Sequence, residues 1–328
     1  MKKSLTLFAF VGALAAAACA GPTTTQVAAG AASADPAAPK ANDPWKHAYF
    51  KTSDGVKLHY VEQGKGTPVI LIHGAGGSAV GNWFNNGMAA KLVDTNRVIG
   101  IDMRGHGLSE PGDRTKMASD VLEFMQQQGI EKAHIGGYSM GGGITLRLMS
   151  TNPEKFITAH FGGSGITETE EWRDKVPADK TGEAPNESKA RAAYQAVQTA
   201  RGSARGEEVG NNAGALMARM RAAQQQGAQG AATATPGAAP AQGNLVGMAA
   251  RLQPTIDLRT IKFPVLAVNG DHDRPYAKTH RMWRELDNFT NVILKDHGHL
   301  SAVMAGITPP EYAGSLEKFI TENNPSKK

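Results

Sequence analysis

The sequence predicts an α/β fold: a mostly parallel sheet flanked by helices and interrupted by one long insertion. Three observations carry this. Residues 68–72, 97–102 and 263–269 are short runs dominated by apolar residues, as in strands buried on both faces of a parallel sheet. Amphipathic stretches with helical spacing lie between such runs, as at residues 117–128. The third is residues 132–149, KAHIGGYSMGGGITLRLM, where an apolar run climbs to Ser139 and an amphipathic run follows at once.

In chain order, residues 47–63 alternate apolar and polar about Ser53-Asp54-Gly55, the pattern of a β-hairpin. Residues 68–72 form the next strand and open into His73-Gly74-Ala75-Gly76-Gly77. A glycine-rich loop there exposes backbone N–H groups at the carboxyl edge of the sheet, where ligands of open α/β sheets bind. Residues 83–92 read as a helix and 97–102 as a strand, followed by a turn-rich segment containing His106, which two glycines flank and which reads as structural. Residues 117–128 place Met117, Val121, Leu122 and Met125 on one helical face, and Gly129 ends the helix.

In the central stretch, glycine stands two residues before and two after Ser139, at Gly137 and Gly141, as a tight strand-to-helix elbow requires. Ser139 would project its hydroxyl above the sheet edge as a nucleophile. Met140 would offer its backbone N–H from the first turn of the helix, and Ala75 would supply a second N–H to complete an oxyanion hole. Residues 156–161 form a further strand.

From about residue 164 the composition turns polar, and residues 224–243 are of low complexity. Helices are expected over 188–201 and 213–225, with thin apolar faces: Tyr194 and Val197 in one, Leu216, Met217 and Met220 in the other. This reads as a partly disordered lid over 164–254, with too little apolar surface to order all of it. Alternation then resumes with a strand over 263–269, a helix over 276–286, a strand over 292–294 and a closing helix over 310–323.

The chain of 328 residues carries a formal charge of +5 and no long basic cluster, which argues against nucleic acid or an acidic surface as a partner. Residues 1–20 have a basic start, an apolar run and a small-residue end, the layout of a signal peptide. Its removal leaves a charge of +3, because Lys2 and Lys3 go with it. Cys19 is the only cysteine, so no intramolecular disulfide forms. Cleavage after Ala20 is one fate of the leader. Lipidation of Cys19 is the other, giving a periplasmic or a lipid-anchored protein of the bacterial envelope. Residues 21–44 then form a flexible linker, and 45–163 with 255–328 form the two parts of the core.

A nucleophilic serine needs a base to take its proton and an anion to hold that base. An acid after a late strand (Asp271 or Asp273) and a histidine after the last (His297 or His299) complete the order Ser, Asp, His. Here the chain resembles the α/β-hydrolase family. The resemblance rests on His73-Gly74, on residues 102–109 (DMRGHGLS), on the Gly137 to Gly141 elbow, on Gly270-Asp271-His272-Asp273 and on Gly298-His299. It implies that Ser139 is the nucleophile, Asp273 the acid, His299 the base, and Ala75 with Met140 the oxyanion donors. It also implies acyl transfer on an ester, thioester or lactone, with no cofactor. A carbon-carbon bond hydrolase and a perhydrolase are rivals on the same residues, and an exported binding protein that kept the fold is a rival of another class. Asp271, His272, Asp273, His297 and His299 could also be read as metal ligands, but they lack the spacing of paired helical or Cys/His sites.

Overall fold

In a computed structural model of the chain, residues 38–209 and 256–325 are described. The expected signal peptide with Cys19, most of the expected linker, the expected helix over 213–225 and the low-complexity segment lie outside them.

Eight strands form one sheet in the order β1-β2-β4-β3-β5-β6-β7-β8. The hairpin is formed by β1 (Lys46–Lys51) and β2 (Lys57–Gln63), paired antiparallel from Lys46 opposite Glu62 to Lys51 opposite Lys57. The strand β2 runs antiparallel to β4 (Asn96–Ile101). From there the sheet is parallel through β3 (Thr67–Ile72), β5 (Ala133–Tyr138), β6 (Phe156–Gly162), β7 (Val265–Gly270) and β8 (Phe289–Leu294). Parallel pairing brings the carboxyl ends of β3 to β8 to one edge, and every candidate site residue follows such an end.

The apolar strands serve two cores at once. Ile70, Ile72, Ile99, Ile101, Val265 and Ala267 pack on one face with Val121, Phe124, Ile144 and Leu148. Their alternates Val69, Leu71, Val98, Leu266 and Val268 pack on the other with Trp83, Met88, Leu316 and Phe319. The first face is covered by α1 (Met117–Gln127) and α2 (Met140–Thr151), the second by α5 (Pro310–Glu322) and the turns after β3. Between them in sequence come α3 (Glu187–Val209) and α4 (Pro275–Glu285).

Two expectations are corrected. Residues 83–92 are not one helix: a π-helical turn covers Val80–Phe84 and a short 3₁₀ turn Ala89–Lys91, separated at Gly87 with φ of +80°. The Asn86 amide donates to the Asn82 carbonyl at 2.5 Å, so side-chain bonds compete with a regular helical ladder. On α1 the buried face includes Phe124, while Leu122 is only partly covered.

Candidate active site

The elbow forms because of its glycines. A Cβ on Gly137 would stand 2.4 Å from the Gly141 carbonyl carbon, and one on Gly141 would stand 2.2 Å from the Ile72 carbonyl oxygen. Only bare backbone fits both places. Ser139 has φ 51° and ψ −106°, a strained conformation for a residue with a side chain. It is held there because its N–H donates to Gly162 O at 2.8 Å and its carbonyl accepts from Gly143 N–H at 3.2 Å.

Loops after β7 and β8 bring the other two groups to this serine. Asp273 Oδ2 lies 2.9 Å from His299 Nδ1, and His299 Nε2 lies 3.0 Å from Ser139 Oγ. A carboxylate only accepts, so the imidazole proton sits on Nδ1 and leaves Nε2 to accept from the serine hydroxyl. Such a chain can take the serine proton as Oγ attacks an electrophile, with the carboxylate facing the imidazolium that results. Burial would raise the Asp273 pKa, but His299 and Lys278 outweigh it and hold the carboxyl below the usual range. The Tyr138 hydroxyl donates to the His299 carbonyl at 2.5 Å, and its ring lies 5.4 Å from the imidazole.

The neighbouring acid and histidine stand apart from that chain. Asp271 Oδ1 accepts the His297 N–H at 3.3 Å, and its Oδ2 receives Lys180 Nζ at 2.5 Å. His297 Nδ1 donates to the Lys295 carbonyl at 2.6 Å. Asp271 therefore ties the two loops together, through the backbone of the opposite loop rather than its own. Among the described residues, the ligand-type side chains that cluster are Asp271, His272 and Asp296, without Asp273, His297 or His299.

Ala75 lines a cavity of about 510 Å³ together with Ser139, His299, Glu187 and Tyr194. Its peptide is turned by what holds the Gly74 carbonyl, which accepts from His73 Nδ1 at 2.8 Å and from Gly77 N–H at 2.9 Å. In a trans peptide the N–H points opposite to the C=O, so the Ala75 N–H faces away from His73. Burial pushes the His73 pKa down to about 4, keeping the ring neutral, with Nε2 free to accept the Met103 N–H at 3.0 Å. Met140 is the first residue of α2, where an N–H has no acceptor within the helix. Asp102, buried after β4, fixes the loop further on by accepting from Ala79 N–H at 2.7 Å, Leu108 N–H at 2.9 Å and His59 Nδ1 at 2.8 Å. His106 is buried and donates from Nδ1 to the Arg104 carbonyl at 3.1 Å, in keeping with a structural role.

Three neighbours of the site gave no sequence signal. Lys278 on α4 places Nζ 2.6 Å from Asp273 Oδ1. Glu187, in the first turn of α3, accepts the backbone N–H groups of Leu300 and Ser301. Arg201, fourteen residues along the same helix, donates to Gly76 O at 2.6 Å and Gly77 O at 2.9 Å. Each lies in a stretch whose polar residues look solvated; only a pattern marking which polar side chain turns inward would have found them.

Comparison with known proteins agrees with this architecture. The chain is 37% identical over 114 residues to the dihydrolipoyllysine-residue acetyltransferase component of an acetoin cleaving system from Cupriavidus necator, covering 33% of this chain and 30% of that protein. It is 40% identical over 114 residues to 2-hydroxy-6-oxo-6-(2'-aminophenyl)hexa-2,4-dienoic acid hydrolase from Metapseudomonas resinovorans, covering 32% and 38%. The match thus spans about a third of the length of these relatives. In fold, the chain is similar to a serine hydrolase from the polyaromatic hydrocarbon-degrading bacterium Cycloclasticus zankles, with a TM-score of 0.57, 18% identity and coverage of 84% and 98%. Residues 67–302 match the family described as alpha/beta hydrolase fold, and the chain belongs to that family.

Proposed function

We propose that the protein is a serine hydrolase that cleaves an ester, thioester or lactone of a small molecule through an acyl-enzyme. The observation that carries this reading is the hydrogen-bonded chain from Ser139 Oγ through His299 to Asp273, whose first two members line a cavity. In the proposed reaction Ser139 Oγ bonds to the carbonyl carbon while its proton passes to His299 Nε2. The oxyanion accepts hydrogen bonds from the Ala75 and Met140 N–H groups. The carbonyl-to-leaving-group bond then breaks, and His299 returns the proton to the departing atom. Water repeats the sequence, with His299 as its base, to free the acid and Ser139. None of these steps calls for a cofactor.

Hydrolysis of p-nitrophenyl acetate, followed by a panel of esters graded by acyl length, lactones and amides, tests the reading. The expected result is ester turnover with a burst of one equivalent of p-nitrophenol. Absence of turnover and burst across the panel would favour a binding protein that kept the fold.

A second reading has one observation in its favour: the Metapseudomonas relative is named as a hydrolase of a dienoic acid with a 6-oxo group. If this chain cleaves a carbon-carbon bond, ester turnover will be slow beside turnover of a vinylogous 1,5-diketone.

We further propose that the insertion after β6 serves as a lid, because its helix α3 supplies Glu187, Tyr194 and Val197 to the cavity. We also propose that the protein is exported, with Cys19 either removed or lipidated, because residues 1–20 have the layout of a signal peptide.

A further inference from the structure

Lys278 lies in the first turn of α4, a position where a lysine ordinarily extends into water. Here the side chain is 22% exposed, with Nζ donating to the Gly163 carbonyl at 3.2 Å and facing Asp273 Oδ1 at 2.6 Å. The chain around it is tight: the Lys278 carbonyl accepts the Ile166 N–H at 2.8 Å, and a Cβ on Gly165 would stand 2.2 Å from that carbonyl oxygen. Drawing an ammonium out of water costs free energy, so its partner must compensate. Burial pulls the Lys278 pKa down even though Asp273 pushes it up.

The two oxygens of Asp273 are thus divided. Oδ2 serves His299 Nδ1 and Oδ1 serves Lys278 Nζ. A carboxylate gripped at both oxygens cannot rotate, which fixes the direction from which it meets the imidazole. Its negative charge is shared as well. A cation on the far side of an anion weakens the pull of that anion on an imidazolium, by an amount that matters at these separations in a partly dry site.

We propose that Lys278 is a positioning residue for the Ser139, His299 and Asp273 chain: it fixes the plane of the Asp273 carboxylate and moderates its charge, so that His299 parts with its proton more readily. The proposal rests on the hydrolase reading above. Lys278 itself neither gains nor loses a proton in the cycle. The proton shuttles from Ser139 Oγ to His299 Nε2 and on to the leaving group, and Lys278 sets the balance between those transfers. Other charged or titratable groups also face this cluster. Arg274 and Asp179 act on Lys278, with Asp179 accepting the N–H groups of Tyr276 at 2.7 Å and Ala277 at 3.1 Å. Glu187 and Tyr138 face the His299 loop from α3 and β5. None of these four is altered in the test.

The test compares wild type with Lys278→Met and Lys278→Gln by kcat and KM for p-nitrophenyl acetate from pH 5 to 9. Met removes both the charge and the donor; Gln removes the charge and keeps a donor. The expected result is that the acid limb of the kcat/KM profile moves to higher pH in both, by about one unit, because His299 then keeps its proton longer. kcat falls roughly tenfold and KM changes little, because Lys278 does not line the cavity. Should Lys278→Met fail to fold, Lys278→Gln supplies the same reading. Folded variants with the wild-type acid limb would overturn the proposal, and so would loss of the fold in both, which makes Lys278 a structural brace. A wild-type protein that turns over no ester contradicts the hydrolase reading and takes this proposal with it.

Discussion

Glu187 Oε1 accepts the backbone N–H of Leu300 at 2.7 Å, so α3 grips the residue that follows His299. Its other oxygen accepts the Ser301 N–H at 2.9 Å. Farther along the same helix Gln198 donates to Gly76 O at 2.6 Å, and Arg201 grips the same carbonyl. One helix therefore spans the loop that carries His299 and the loop that carries Ala75. Glu187→Ala should cost roughly 1–3 kcal/mol of stability, the usual penalty for stranding buried partners, and lower kcat about tenfold. Denaturant unfolding and steady-state kinetics check this. Unchanged values in both would mean that the loop is held by other contacts.

Asp273 and Asp271 differ by two residues and by everything they touch. Asp273→Asn should lower kcat by about 10³ to 10⁴, since an amide cannot stabilise the imidazolium. Asp271→Asn loses one bond to a half-exposed Lys180 and should cost at most about 1 kcal/mol, with activity nearly kept. Kinetics on the two variants, made in parallel, separate them; the reverse order would move the acid to Asp271.

The candidate chain of Ser139, Asp273 and His299 was legible because each residue lies in a short motif that follows a strand, and parallel strands share an edge. Sheet order beyond the hairpin was not legible, because pairing partners leave no mark on an apolar run such as Val69 to Ile72. Lys278, Glu187 and Arg201 were invisible for a different reason. Apolar patterning reports which face of a helix is dry, whereas these side chains are drawn inward by paired polar contacts with distant loops. The expected helix over 83–92 failed on the same ground, as the amides of Asn82 and Asn86 and the turn at Gly87 compete with regular winding.

Three buried histidines give the fold a pH limit. Burial lowers the pKa of His73 and His134 to about 4 and of His160 to about 3. Because these folded-state values lie below the unfolded value near 6.5, the unfolded chain binds more protons as pH falls. Stability is therefore full above about pH 6.5 and drains away between there and about pH 4, by on the order of 3 kcal/mol for each ring. Urea melts at pH 7.5, 6, 5 and 4 measure this. A flat midpoint over that range would show that the rings protonate without unfolding.

The proposed export makes a prediction at the chain start. The protein recovered from the envelope of a bacterial host should begin at Cys19, carrying lipid, or at Gly21. N-terminal sequencing and palmitate labelling, with Cys19→Ala as control, distinguish the two. Recovery of a cytosolic protein that still begins at Met1 would contradict export.

Serine-directed labelling tests the central claim most directly. Treated with a fluorophosphonate at pH 8 and mapped by mass spectrometry, the wild-type protein should carry one adduct, on Ser139. Ser139→Ala should abolish the label and lower kcat by about 10⁴-fold with the fold intact, and His299→Ala should slow labelling by a factor on the order of 10³. An unlabelled Ser139 in folded protein, or labelling that ignores the loss of His299, would contradict the account.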